Sequence, residues 1–117
     1  MRSVIPKAQL AARKCRAIGD ELAYSAGEIL AQLSEIPAWS HQNRALERSL
    51  AFKDYYDTMA FVNAVAWMIH KEDHHPEIHM SYNRCTVRWN THSVDGISEN
   101  DFICAAKTDA IFGRSGN

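Results

Sequence analysis

Residues 70–92 read HKEDHHPEIHMSYNRCTVRWNTH and contain five of the six histidines in the chain. The unperturbed pKa of histidine lies near neutral pH, so a cluster of histidines indicates proton transfer or metal binding. Pro76 follows His75 directly, and proline both lacks an N–H and disfavours the α conformation in the residue before it. We therefore expect a helix to end at about His74, with the pair of histidines at its terminus, where a small molecule can reach them.

Two β-strands are predicted after this proline. Residues 78–82 form the first and residues 85–91 the second, with a turn at residues 83–84 between them. His92 comes just past the second strand, where its side chain can turn toward a neighbouring loop. Side chains alternate along a strand, so three members of the second strand should point inward: Cys85, Val87 and Trp89.

A helix and a hairpin are predicted before the histidine cluster. Ser25 begins a capping box, and the helix that follows should end at Pro37. A short strand from Trp39, a turn at residues 41–44 and a second strand over residues 45–52 form the hairpin.

Arg48 does not fit the pattern of this second strand. Leu46, Leu50 and Phe52 share one face, and Arg48 falls on that same face. Either the strand lies at an edge of the sheet there, or the predicted register is wrong.

The helix between the two hairpins has a wide apolar stripe, and Asp54 or Asp57 is expected to cap it. Such a helix must be covered on two sides, by the sheet and by a second surface such as a partner subunit. The stripe residues recur at three- and four-residue intervals: Met59, Phe61, Val62, Val65, Ala66, Met68 and Ile69.

A last helix should begin after Ser98, which has Asp101 at its capping-box position. We expect this helix to run to about Phe112 and to end at Gly113, with residues 114–117 frayed.

These elements predict an α+β fold in the order α-β-β-α-β-β-α: a four-stranded antiparallel sheet with helices packed on one face. A chain of 117 residues can bury one modest core, and residues 25–113 should form this single domain. Residues 1–24 have helical spacing without firm caps, so we expect a loose or partly helical extension.

Charge, hydropathy and cysteine content indicate the binding partners and the cellular compartment to expect. A net charge of −1 produces no field that would draw the chain to nucleic acid or to an anionic membrane. The first residues are too polar for a secretory signal, and no apolar run is long enough to span a bilayer. The three cysteines lack a metal-binding spacing, so we expect reduced thiols in a cytoplasmic protein.

The histidine cluster also carries a family resemblance. Its motif is His74-His75-Pro76-Glu77, then Tyr82-Asn83, then Thr91-His92, and finally Gly96, Ser98 and Asp101. In order and spacing this motif resembles the signature of the pterin-4a-carbinolamine dehydratases, and the resemblance covers most of the chain after about Ser25. The chain departs from the common family pattern after Glu77, where Ile78 stands in place of an aromatic residue and is followed by His79.

The resemblance implies dehydration of a 4a-hydroxytetrahydropterin to the quinonoid dihydropterin, in recycling of the cofactor of an aromatic amino acid hydroxylase. Loss of the hydroxyl needs an acid and loss of the N5 proton needs a base. We therefore expect His74 and His92 to transfer the protons, with either one as the acid, and His75 to hold the pterin or the attacked hydroxyl. No metal or cofactor is expected.

The resemblance also implies residues that support the histidines or bind the substrate, and a homodimer or homotetramer. The supporting residues are Asp73, Pro76, Glu77, Thr91 and Asp101.

Other interpretations compete with this one. His70 and His74 have the spacing of a zinc-binding pair on a helix, but Lys71 occupies the position of the glutamate in HExxH. Cys85 lies in no nucleophile motif. The rival function is a non-catalytic binding module that stabilises the oligomer of a partner protein, and a trio of histidines is not needed for that role.

Overall fold

The computed structural model describes residues 2–114. The elements along the chain are α1 (Lys7–Ala12), α2 (Ala26–Leu33), β1 (Ser40–Gln42), β2 (Ala45–Ala51), α3 (Tyr55–Glu72), β3 (Glu77–Met80), β4 (Arg84–Trp89) and α4 (Glu99–Arg114), with 3-10 turns at Asp20–Leu22 and His92–Val94. The predicted α-β-β-α-β-β-α order is confirmed from α2 onward, and the short helix α1 precedes it.

The strands form one antiparallel sheet in the order β1-β2-β4-β3. The helices α3 and α4 contact one face of this sheet, as predicted for an α+β fold. The opposite face is polar: the Ser49 and Thr86 hydroxyls lie 2.7 Å apart, and Arg88 pairs with Glu47 at 2.9 Å. The buried side chains on the helix-covered face include Leu46, Leu50, Cys85, Val87 and Trp89.

The end of α3 positions the histidine pair. The helix ends at Glu72, and Asp73 adopts a left-handed conformation with φ 52° and ψ 43°. Its N–H still donates to the carbonyl of Ile69 at 2.9 Å. The helix thus ends slightly earlier than the predicted His74, because the chain already turns at Asp73 before Pro76 constrains it.

The link from β4 to α4 is compact. Thr91 and Gly96 exchange two backbone hydrogen bonds of 2.8 and 3.3 Å around the turn that begins at His92. Ser98 then caps α4, since its N–H donates to Asp101 at 2.9 Å and its hydroxyl accepts from the Asn100 N–H at 3.2 Å. The predicted start of this helix is confirmed. Its predicted end is wrong, because α4 continues through Gly113 to Arg114, and residues 115–117 lie outside the described part of the chain.

The structure explains why Arg48 lies on the apolar face of β2, and neither predicted explanation holds. The strand is an inner one and its register is as expected, because Leu46 and Leu50 are buried. The Arg48 guanidinium instead pairs with the buried carboxylate of Asp109 on α4. Asp109 also accepts from the Trp39 indole at 2.8 Å. A half-buried arginine is tolerated here because its charge is neutralised across the sheet–helix interface.

Residues 2–24 pack on the rest of the molecule through specific contacts. Leu10 of α1 is fully buried in the core, and α1 lies against α4. The Gln32 side chain binds both the N–H and the carbonyl of Ile5, at 2.9 and 2.8 Å. The segment is therefore partly helical, and contacts distant in sequence hold it in place, which local capping patterns do not predict.

The outer side of α3 is only partly covered. Phe61, Val65 and Met68 are buried under the helix, whereas Tyr56 and Trp67 are 84% and 70% exposed. Within residues 2–114, no helix combines the length and the apolar character needed to cross a membrane.

Candidate active site

His74 is held by two contacts immediately after α3. Its Nε2 atom lies 2.7 Å from the Asp101 Oδ1 atom, and its ring stacks on Trp89 with centroids 5.5 Å apart and planes 12° from parallel. Only 13% of the side chain is exposed. The hydrogen bond to Asp101 fixes the rotation of the ring within its plane, and stacking on Trp89 fixes the tilt of that plane. Together they determine the orientation of the imidazole.

Asp101 connects His74 to the start of α4. Its side chain is fully buried, and its Oδ2 atom accepts hydrogen bonds from the Ser98 N–H at 2.9 Å and from the Thr91 hydroxyl at 2.7 Å. Its Oδ1 atom faces His74 Nε2. A carboxylate is an acceptor, so this arrangement favours the tautomer with the proton on Nε2 and leaves Nδ1 free to accept one.

One cleft of about 270 Å³ brings the predicted histidines together. His75 and His92 are exposed at its wall, and among residues 2–114 neither ring has a hydrogen-bond partner. Imidazoles without partners are available to a bound molecule. The cleft is lined by Arg16, Ile18, Asp73, His74, His75, Asn90, Thr91, His92, Ser93 and Asn100.

The supporting residues divide into two groups. Asp73 and Thr91 line the cleft, and Asp101 lies behind His74. Pro76 belongs to the loop between α3 and β3 but does not line the cleft, and neither does Glu77.

Glu77 lies on the polar face of the sheet. It contacts Arg88 at 3.2 Å and His79 at 3.1 Å, and the hydrogen bond from His79 is the main cause that lowers the pKa of this carboxyl. Ile78, the departure from the family pattern, packs against the core. The described chain therefore gives Glu77 a place in a surface ion cluster and no contact with the cleft.

Five lining residues were missed by the sequence analysis. Arg16 and Ile18 come from the N-terminal segment, which carries no recognisable motif. The other three are direct neighbours of motif residues in the sequence, and this proximity could have predicted them: Asn90, Ser93 and Asn100.

The competing chemistries receive no support from the geometry. Among the described residues, no group of three or more His, Cys, Asp and Glu side chains is arranged to hold a metal ion. His70 lines a different surface depression, beside Trp67, and not the cleft of His74. Burial raises the pKa of the Cys85 thiol to about 11, which makes its nucleophilic thiolate scarce at neutral pH.

Comparison with known proteins matches this chain to one family. Residues 23–111 match the profile of the family described as pterin 4 alpha carbinolamine dehydratase. A protein from Stenotrophomonas maltophilia (strain K279a), named as a pterin-4-alpha-carbinolamine dehydratase, is 50% identical over 113 residues, covering 95% of this chain and 96% of that protein. One of the same name from Nitrosospira multiformis is 46% identical over 104 residues, covering 88% of this chain and 92% of the relative.

Solved structures share the fold. The crystal structure of a transcriptional coactivator/pterin dehydratase from Brucella melitensis has a TM-score of 0.73 and 34% identity, covering 76% of this chain and 97% of that one. A pterin dehydratase-like protein identified as a RuBisCO assembly factor in the alpha-carboxysome has a TM-score of 0.58 and 25% identity, covering 65% of this chain and 90% of its own. On the profile match and the identities over nearly full length, this chain belongs to the pterin-4-alpha-carbinolamine dehydratases, a family of hydro-lyases.

Proposed function

We propose that this protein removes water from a 4a-hydroxytetrahydropterin and releases the quinonoid dihydropterin, by acid/base catalysis with its own histidines. The observation that carries the proposal is the convergence of His74, His75 and His92 on one cleft, in a chain of this family.

The reaction needs two proton transfers and no change in oxidation state. The C4a–O bond breaks with its electron pair on oxygen, and that oxygen leaves as water after an acid protonates it. The N5–H bond gives its proton to a base, and its electrons form the C4a=N5 double bond. The enzyme returns to its starting state when the proton taken by the base is returned to the acid. Positioned groups of this kind typically contribute 10²–10⁴-fold in rate.

His74 and His92 are the proposed proton-transfer groups, and His75 is proposed to hold the pterin or its 4a-hydroxyl. The Asp101 contact supports the tautomer of His74 with its proton on Nε2, which leaves the Nδ1 lone pair to act as a base. His92 is exposed in the cleft and without a partner among residues 2–114, which suits the exchange of a proton with the leaving oxygen. Thr91 and Asp101 act behind the imidazole, and Asp73 at the cleft wall is a proposed substrate contact. The structure gives no contact in support of such a role for Pro76 or Glu77.

Cellular context is part of the same proposal. The product would be recycled to the tetrahydropterin cofactor of an aromatic amino acid hydroxylase in the cytoplasm. We propose a homodimer or homotetramer, because within residues 2–114 of a single chain β1 and β3 leave two sheet edges unpaired, and α3 exposes Tyr56 and Trp67. An open edge and an exposed aromatic face are surfaces that assembly would cover.

The alternative is a binding module that stabilises the oligomer of a partner. The name of the RuBisCO assembly factor shows that a related protein has a role of that class. The ordered His74–Asp101–Thr91 network has no use in that role, so we give dehydration precedence.

A direct assay separates these functions. A chemically prepared 4a-hydroxytetrahydropterin dehydrates slowly by itself, and its absorbance can be followed in a stopped-flow instrument with and without the protein. We expect a catalysed rate proportional to protein concentration, which His41→Ala, on the exposed strand β1, should retain. A rate equal to the uncatalysed one at micromolar protein would contradict the proposal and favour the binding module.

A further inference from the structure

Residues 13–18 cross the edge of the cleft without helix or strand structure, yet their backbone is firmly held. The Asn100 side chain accepts from the Arg16 N–H at 3.1 Å and donates to the Arg16 carbonyl at 2.6 Å. On either side, the Cys15 N–H donates to Glu72 at 2.8 Å and the Ile18 carbonyl accepts from the Ser93 hydroxyl at 3.0 Å. Contacts from α3, α4 and the loop after β4 therefore fix where the Arg16 side chain begins.

The Arg16 guanidinium differs from the other cations of this segment. Arg13 pairs with Glu99 at 3.1 Å, and the Lys14 ammonium donates to the Lys71 carbonyl at 2.9 Å. Arg16 is exposed and lines the cleft, and its side chain has no partner among residues 2–114. A guanidinium offers five donors in a rigid plane and is always charged, so it is free to bind oxygen atoms of a ligand.

The chemistry of the substrate indicates which oxygen atoms these are. The reaction takes place at C4a and N5, which must face the imidazoles. The carbon next to N5 in the pterin ring is C6, and its substituent projects away from the ring. Arg16 lines the same cleft as the three histidines, so the C6 substituent is the part of the pterin that we expect to reach its guanidinium.

We infer that Arg16 is a specificity-determining residue that binds an oxygen-bearing C6 side chain of the pterin, most strongly when that side chain carries negative charge. This inference rests on the proposed function, and it assigns a substrate class to the same cleft. Residues 13–18 precede the family-matched residues 23–111, so the contact adds to the histidine machinery from outside it. Arg16 selects the substrate, and it takes no part in proton transfer.

The test compares Arg16→Gln with Lys14→Gln, a matched loss of one positive charge two residues away. Lys14 does not line the cleft. The ligands are three stable oxidised pterins whose C6 substituent is a methyl group, a dihydroxypropyl group or a phosphorylated hydroxypropyl group. Quenching of pterin fluorescence gives Kd for each, and the quantity of interest is the Kd of the methyl compound divided by that of the other two.

We expect the unmodified protein and Lys14→Gln to prefer the phosphorylated pterin by about tenfold or more, the scale of a charge-assisted hydrogen bond, with a smaller preference for the dihydroxypropyl compound. In Arg16→Gln both preferences should fall close to one. Arg16→Lys should restore part of the phosphate preference, because it keeps the charge but loses the planar fork.

Equal weakening of all three ligands in Arg16→Gln would indicate a structural role and overturn the inference, as would a preference that survives in that variant. Turnover of 4a-hydroxytetrahydropterins without side-chain discrimination would overturn the inference while the proposed function stands. Discrimination without turnover would overturn the proposed reaction while the binding role of Arg16 stands.

Discussion

Replacing Asp101 by asparagine tests how the site works, because the two oxygen atoms of this carboxylate have different partners. Oδ2 accepts from the Ser98 N–H and the Thr91 hydroxyl, whereas the one partner of Oδ1 in the described part of the chain is His74 Nε2. The asparagine carbonyl should take the position with two donors, since the opposite arrangement would leave buried donors unpaired at about 1–3 kcal/mol each. The amide NH₂ then faces Nε2 and donates to it.

That reversal moves the imidazole proton from Nε2 to Nδ1 and removes the lone pair proposed to act as the base. We expect kcat to fall on the order of 10²–10³-fold, within the usual contribution of such a group. Two charge-assisted hydrogen bonds become neutral, at about 1 kcal/mol each. The free energy of unfolding should therefore fall by about 2 kcal/mol and the melting temperature by roughly 5–10 °C.

A matched control separates catalysis from folding. Asp109 is a second buried carboxylate on α4, and it binds Arg48, Trp39 and Lys7 instead of the site. Asp109→Asn should lower the melting temperature at least as much and keep kcat near that of the unmodified protein. Stopped-flow assays at a temperature well below both transitions provide the comparison. If Asp101→Asn turns over within twofold of the unmodified protein, the carboxylate does not orient a catalytic imidazole.

Further predictions concern the same structure. His74→Ala and His92→Ala should each lower the dehydration rate by about 10²-fold or more, and the double variant should lose less than the product, because groups serving one transition state act as a unit; additive losses, or a comparable loss in the His41→Ala control, would contradict this. Dialysis against a strong chelator should leave the rate unchanged, and activity that is lost and then restored by zinc would revive the metal hypothesis. Sedimentation at micromolar concentration should show an oligomer that covers the outer face of α3, and a monomer mass would argue against assembly. His79→Ala should raise the pKa of Glu77 toward its ordinary value in an NMR titration, because the His79 hydrogen bond is the main cause that lowers it. A lowered pKa in the folded state contributes stability that is present at neutral pH and lost as the pH falls through that pKa, so the variant should lose less stability on acidification than the unmodified protein.

Most of the fold could be predicted because its signals are local. The capping box at Ser25 and the Ser98–Asp101 pair define helix starts within four residues of chain. Alternation along β4 correctly assigns Val87 and Trp89 to the core. Pro76 marks the end of α3 to within a few residues, so the histidine pair was correctly expected at a helix terminus.

What escaped prediction depends on contacts between distant parts of the chain. Asp109 neutralises Arg48 from 61 positions away, and no local pattern in β2 indicates it. Asn100 holds the Arg16 backbone across 84 positions, which brings an N-terminal arginine to the cleft. Glu77 is a different case. It pairs with Arg88 across β3 and β4, and Arg88 alternates with the inward Val87, so Glu77 lies on the polar face; this register is a property of the folded sheet that no local pattern indicates.

The Asp101 carboxylate links the folding of α4 to the chemistry of the cleft. One of its oxygen atoms helps to cap the helix and the other orients His74, so the imidazole is positioned only when the first turn of α4 is formed. Thr91, two residues after β4, donates to the capping oxygen, which ties the segment that leads to His92 to the same carboxylate. A loss of capping must therefore displace both proposed proton-transfer groups together. Ser98→Ala leaves every cleft histidine in the sequence but removes part of the cap of α4. We therefore expect this variant to lower activity by displacing His74. The loss of activity should increase with the disorder that the variant introduces in the first turn of α4.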